Sequence, residues 1–297
     1  MQDKSERRFR QAGYVILMLY SLLALFPLVL LFVASFSSEK SIVQNGYTLI
    51  PDSWSLEAYK YLFTARSQIL HAYGVTILVT AVGTTLGLFF TILLAYVLSR
   101  KDMPGRNALS FFVFFAMIFN GGLVPTYLMW TEVFHIKNTL WAQILPGLLV
   151  NGFYVFVART YISRSIPSEL IEAGKIDGAS ESRIFFRIIM PLCKPIMVTV
   201  GLFIGIEYWN NWTNGLYYIS DSKYYTVQNV LTTMMNNLQF LSQNSNVAAR
   251  FSGAAARAPS TTVRMAIAVV GLLPILIIYP FVQRHFTKGI VLGAVKG

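Results

Sequence analysis

Residues 207–212 read Glu-Tyr-Trp-Asn-Asn-Trp, placing one acid, three aromatic rings and two amides together in an otherwise apolar run. A carboxylate in hydrocarbon costs several kcal/mol unless it is paired or faces water, so Glu207 must line a cavity or a subunit interface. The ring of Trp209 can stack on a sugar face, and the amides of Asn210 and Asn211 both donate to and accept from hydroxyls. The chemistry on offer is a path for a polyhydroxylated solute. An interfacial aromatic belt formed by Trp209 and Trp212, with Glu207 paired to a neighbouring subunit, uses the same residues. A second interruption, Asn120-Gly121-Gly122 with Pro125, breaks another apolar run. Irregular backbone at membrane depth survives only against protein or a water-lined cavity, so this is either a gate on the same path or a packing kink.

Another polar segment, Glu172 to Pro195, reads EAGKIDGASESRIFFRIIMPLCKP and carries seven charged residues and two glycines between apolar segments. Ser165-Ile-Pro-Ser-Glu-Leu has the proline and first-turn acid of a helix start, and the helix is expected to run to about Ile176. Asp177-Gly178 signals a turn, and Ser180 can cap a second helix. That helix, Glu181 to Met190, has Ile184, Phe185, Ile188 and Ile189 on one apolar face. Pro191 and Pro195 end it and restart the chain. The outcome is a helix–turn–helix bracket at a membrane surface, and an interfacial loop without a partner would share this pattern.

The elements that must hold these groups are membrane spans. Hydrophobic residues make up 55% of the 297-residue chain and charged residues only 12%, about half the roughly 25% of a soluble domain. Spanning needs about 20 apolar residues. Six runs qualify: 14–36, 72–99, 108–131, 139–158, 195–219 and 265–282. The first is longer than a signal-peptide core and lacks a convincing cleavage site, so it reads as a span. The fold expected is therefore an all-α polytopic membrane protein, one domain over 1–297 with six transmembrane helices. Placing the N-terminus inside puts sixteen Lys and Arg in the inner segments and eight in the longer outer ones. By the positive-inside rule both termini and the bracket, segment 165–194 between spans 4 and 5, face the cytoplasm.

The net charge of +11 follows that distribution, since the basic residues cluster at the ends of apolar runs and no basic run interleaves with aromatics; nucleic acid is not an expected partner. Cys193 is the lone cysteine, and His71, His135 and His285 are too scattered for a metal site. No GxxxxGK[ST] loop is present to cradle ATP phosphates. Gly83 and Gly87 form a GxxxG face suited to close helix packing.

The bracket resembles the EAA motif of membrane subunits of ABC importers, through Glu172, Ala173, Gly174, Asp177, Gly178, Ala179, Phe185, Ile188, Pro191 and Pro195. Gly174 stands where alanine is usual, a change that softens a helix by up to about 1 kcal/mol. Ala95 to Arg106, Phe119 to Leu128, Asn138-Thr139 and the tail Phe286 to Gly297 are similar to the maltose-type second permease of carbohydrate importers, and in feel to its complex oligosaccharide or polysaccharide branch. Tyr73-Gly74 departs from the Asn-Ser or Asn-Thr of many relatives. The resemblance implies a non-catalytic permease in a bacterial plasma (inner) membrane. Its bracket would be the coupling helix, with small residues allowing close approach, Glu172 pairing with a basic group on an ATPase and Asp177 capping the turn. Implied partners are a second homologous permease, two ATPase subunits that bind ATP and Mg, an extracellular solute-binding protein, a carbohydrate and the bilayer. A permease for a non-sugar solute is the nearest alternative. A membrane-embedded transferase would need converging acids or a metal near the membrane, and a proton-coupled carrier more buried acids or a repeated half.

Overall fold

The computed structural model describes residues 4–243 and 260–294. Among these the chain is helical, with no β-strand and one isolated antiparallel bridge, Ser37 to Trp54. It divides into two compact units, one of residues up to 68 with 231–275, the other of 69–230 with 276 onward. The polar outer stretch 244–259 and the tail residues 295–297 lie outside the described residues.

The first unit is led by α1 (Lys4–Ser35), whose most apolar window is unburied among the described residues. An apolar stretch left exposed in this way among the described residues is suited to lipid or to a companion helix. The short helices α2 (Glu39–Asn45) and α3 (Glu57–Thr64) follow. Ser38 caps α2, and Phe36 stacks on Tyr59 with ring centroids 4.7 Å apart. The Glu39 carboxylate accepts from the backbone N–H groups of Thr261 and Thr262 at 2.9–3.1 Å and from the Thr262 hydroxyl at 3.0 Å. These donors belong to the first turn of the last helix (Ser260–Ala294), where N–H groups have no partner of their own. Burial alone would raise the Glu39 pKa, but these hydrogen bonds hold it below its ordinary value.

The second unit is built on α4 (Arg66–Ser99), long and apolar enough to cross a membrane, as is α1. Next come α5 (Arg106–Ile118) and α6 (Leu123–Leu128), the latter extended by a π-helical turn to Val133; together they form a pair bent by 116°. The bend falls at the expected break: Gly122 takes a φ of +89°, and the Asn120 side chain accepts from its N–H at 2.9 Å.

The run 139–158, expected as one span, is not one continuous helix. It holds α7 (Trp141–Ile144), an irregular stretch, and α8 (Gly152–Ser165). Pro146 and Gly147 (φ +71°) stop the first helix, and Asn151 starts the second by accepting from Phe153 N–H at 2.9 Å. Composition registers only that the run is apolar; these three residues decide its shape.

The bracket follows as α9 (Ser168–Ile176), α10 (Glu181–Ile184), a π-helical turn and α11 (Met190–Leu192). An 80° corner at Cys193 leads into α12 (Lys194–Asn210), which continues after a break as α13 (Thr213–Tyr218). Then comes α14 (Val227–Gln243). Gly83 and Gly87 serve close packing, as expected: a Cβ on Gly83 would strike the Tyr208 ring, and one on Gly87 would lie 3.0 Å from the Leu149 carbonyl oxygen. Among the described residues two helices qualify as spans, or four if each bent pair is one.

Candidate functional site

The bracket's shape comes from its turn. Gly178, at φ +73°, ends α9 in the left-handed region, where a Cβ is penalised. Ala179 N–H bonds Gly174 O at 2.9 Å and Gly178 N–H bonds Lys175 O at 3.0 Å, the paired 6→1 and 5→2 bonds of a Schellman ending. Ser180 then caps α10, its hydroxyl accepting from Arg183 N–H at 3.3 Å. Asp177 lies at the end of α9, but the capping side chain is Ser180.

The inner side of the bracket is core. Ile171, Ile184, Phe185, Ile189 and Cys193 are buried with Ile92, Ala95 and Tyr96 of α4 and Ala158 and Ile162 of α8. Gly174 is buried too, and a Cβ there would come within 3.2 Å of Ile188 Cδ1 and 3.3 Å of Ile184 Cγ1. The glycine therefore lets the two arms of the bracket close on each other. Glu172, Ala173, Asp177 and Gly178 are exposed and Ala179 half-buried. Beside them Ile176 is 85% exposed, an apolar side chain that periodicity did not single out.

A five-residue polar cluster ties the bracket to α4. Arg100 lies just beyond α4, and its side chain is only 10% exposed. It donates through Nε and Nη2 to the two Asp102 oxygens at 2.8 and 2.5 Å, and through Nη1 and Nη2 to the two Glu181 oxygens at 2.9 and 3.3 Å. Its remaining Nη1 hydrogen goes to the Tyr96 hydroxyl at 2.6 Å, which donates to Glu181 Oε2 at 2.9 Å. All five guanidinium donors are thus used. Lys175 of α9 completes the cluster, 2.8 Å from Asp102 and 3.6 Å from Glu181. The bonds from Arg100 and Lys175 hold the Asp102 carboxyl well below its ordinary range. Burial works to raise Glu181, yet the Tyr96 and Arg100 bonds leave it lowered.

The interrupted span divides its residues among different tasks. Glu207 is half-buried and accepts from the Tyr154 hydroxyl at 2.6 Å, with Phe203 stacked on the Tyr154 ring. Trp209 is buried, its ring 6.3 Å from that of Tyr73 and its indole N–H without a hydrogen-bond partner among the described residues. Asn210 is exposed. Asn211 is bonded locally, accepting from Asn214 N–H at 3.1 Å and donating to Thr213 at 3.3 Å. Asn120 and Gly121 are exposed at the α5–α6 bend, and among the described residues no hydrogen bond joins them to the Glu207 group.

Behind the break lies a buried amide network. Gln143 donates to Asn229 Oδ1 at 3.3 Å and to Tyr224 O at 3.1 Å, and Thr226 donates to Asn229 Oδ1 at 2.7 Å. Asn229 in turn donates to Trp212 O at 2.6 Å, and Asn214 to Pro146 O at 3.0 Å. Neither this network nor the Arg100 cluster, nor the Tyr154 partner of Glu207, is marked by a local pattern, because the pairings Tyr154–Glu207, Arg100–Glu181 and Gln143–Asn229 that close them span 53 to 86 residues. Among the described residues no group of His, Cys, Asp and Glu is placed to hold a metal.

Residues 83–291 match the model of a family described as the binding-protein-dependent transport system inner membrane component. The chain is 35% identical over 291 residues to the polygalacturonan/rhamnogalacturonan transport system permease protein YtcP of Bacillus subtilis (strain 168), covering 98% of this chain and 99% of that one. It is 36% identical over 275 residues to Protein LplC of the same organism, covering 93% and 90%. Among solved structures it superposes with a TM-score of 0.78 and 28% identity on a chain of a bacterial ABC transporter involved in the import of the acidic polysaccharide alginate, covering 96% of this chain and 99% of that chain.

Proposed function

The chain belongs to the family of binding-protein-dependent transport system inner membrane components, and from that premise we propose that it is a permease subunit of an ATP-driven importer of oligosaccharides or polysaccharide fragments. It crosses a bacterial inner membrane six times as one permease domain over 1–297, with both termini and the bracket cytoplasmic. It hydrolyses nothing itself. ATP and Mg are bound by two ATPase subunits, a second homologous permease completes the path, and an extracellular binding protein delivers the sugar.

The observation that carries this reading is the bracket's outward face. Glu172, Ala173, Ile176, Asp177 and Gly178 stand exposed on a turn whose inner side is fixed in a buried core. Small residues let another surface approach closely, Ile176 offers an apolar anchor to a pocket, and Glu172 offers a charge without a salt-bridge partner among the described residues. ATP binding draws the ATPase subunits together, displaces the two coupling brackets and opens the path outward; hydrolysis resets it. Asn120, Gly121, Glu207, Trp209, Asn210 and Asn211 are proposed to border the path, with Glu207 held by Tyr154. The relatives named for polygalacturonan/rhamnogalacturonan and alginate support a carbohydrate substrate.

The test is purification from the native membrane in mild detergent, with companions identified by mass spectrometry. A Walker-type ATPase and a second permease are expected with the wild-type chain, and Glu172→Arg or Gly178→Trp should release the ATPase. A chain that purifies alone would overturn the reading.

A further inference from the structure

The 80° corner at Cys193 poses a mechanical problem. If the bracket met the membrane helices only there, a push on it would flex the joint between α11 and α12 instead of moving the helices. The buried core shared with α4 and α8 holds the bracket's inner side, and the polar cluster adds a directional attachment at its edge. Glu181 opens α10, Lys175 belongs to α9, and both are gripped by Arg100 and Asp102 at the end of α4. At a distance from this grip, α4 also touches α12 directly, where Tyr208 lies on Gly83 and Ile204 lies 3.4 Å from the position of a Gly87 Cβ. Bracket, α4 and α12 therefore form three sides of a closed frame, joined at Cys193, at Arg100 and along the Gly83 face.

We infer that Arg100 is a positioning residue for energy coupling: by fastening Glu181 and Asp102 it makes the bracket, α4 and α12 move as one lever when the ATPase displaces the bracket. A guanidinium suits the task because its planar fork holds two carboxylates and a hydroxyl at fixed angles, which an ammonium cannot do. Asp102, Lys175 and Glu181 are each about half exposed, and ion pairs at such sites contribute little to stability. What the cluster supplies is geometry.

This inference rests on the coupling reading above, and the experiment separates the two. The complete transporter, reconstituted in vesicles with its ATPase and binding protein, is assayed for sugar moved per ATP hydrolysed. Arg100→Met should lower that ratio about tenfold, within the range of ordinary coupling energies. Arg100→Lys should recover part of the loss, and Glu181→Gln, which keeps the acceptor for Tyr96 but loses the charge, should behave like Arg100→Met. Should Arg100→Met fail to assemble, Glu181→Gln carries the test alone. An unchanged ratio in Glu181→Gln would overturn the inference, as would losses in Arg100→Met and Arg100→Lys that simply track the amount of folded complex. Failure of the wild-type chain to retain any ATPase would instead overturn the importer reading.

Discussion

At Gly178 the space around an added Cβ is open, yet the backbone φ of +73° penalises any side chain. Gly178→Ala should therefore cost about 1–2 kcal/mol, read as a lower melting temperature in detergent with weakened retention of the ATPase. The Glu207–Tyr154 bond is a different case, a side-chain pair within the proposed membrane region. Tyr154→Phe removes one donor and should cost about 1 kcal/mol, the usual scale for polar contacts between membrane helices. Thermal unfolding of the purified chain checks it. The cluster around Arg100 has a pH signature. Asp102 and Glu181 both titrate below their ordinary values in the folded chain, so their contribution is present above the ordinary carboxylate range and is lost as pH falls through the lowered values. Coupling should therefore stay flat from about pH 5 to 8 and fail only in stronger acid. A drop in sugar moved per ATP between pH 8 and 6 would contradict that assignment.

Between elements, what counts is whether a neighbour can yield. A Cβ on Gly83 meets the Tyr208 ring, which is buried and tied to Ile144 O at 2.9 Å. Gly83→Ala should destabilise by about 1–3 kcal/mol, as overpacked cores do. Gly174→Ala meets Ile188 Cδ1 at 3.2 Å and Ile184 Cγ1 at 3.3 Å, contacts relieved by side-chain shifts of a few tenths of an ångström; with up to about 1 kcal/mol of helix propensity gained, it should cost less than Gly83→Ala. Comparing both melting temperatures with wild type decides this. The same contrast explains what is legible from sequence. The bounds of α9 are readable because a proline start and an Asp-Gly stop are local signals, and Ser168–Ile176 is the helix found. The Asn120-Gly121-Gly122 interruption is readable for the same reason. The run 139–158 is not, since its apolar count masks the stop at Pro146-Gly147. Arg100 and Glu181 read as ordinary charges flanking a span and opening a helix; only folding brings them together across 81 residues. Asn211, chemically suited to a sugar hydroxyl, has two of its bonding groups already engaged by its neighbours.

For the whole molecule, the importer reading makes uptake conditional on several chains at once. Vesicles carrying the complete complex should accumulate a labelled oligosaccharide only with ATP at the bracket side and binding protein at the other, and omission of either should reduce the rate at least about tenfold. Most of the chain takes part in this: the family match runs from the Gly83 face through the bracket into the last helix. The buried network of Gln143, Asn214, Thr226 and Asn229 has a further consequence, in time. During synthesis Gln143 emerges 86 residues ahead of Asn229, a lag of about 4–17 s at ordinary elongation rates. Throughout that interval the amide lacks the partner it is later buried against. The neighbourhood of α7 must therefore wait, open, for the start of α14. A nascent chain halted anywhere in that interval presents an unfinished surface to quality-control proteases, whereas one from which Asn229 has fully emerged can close it.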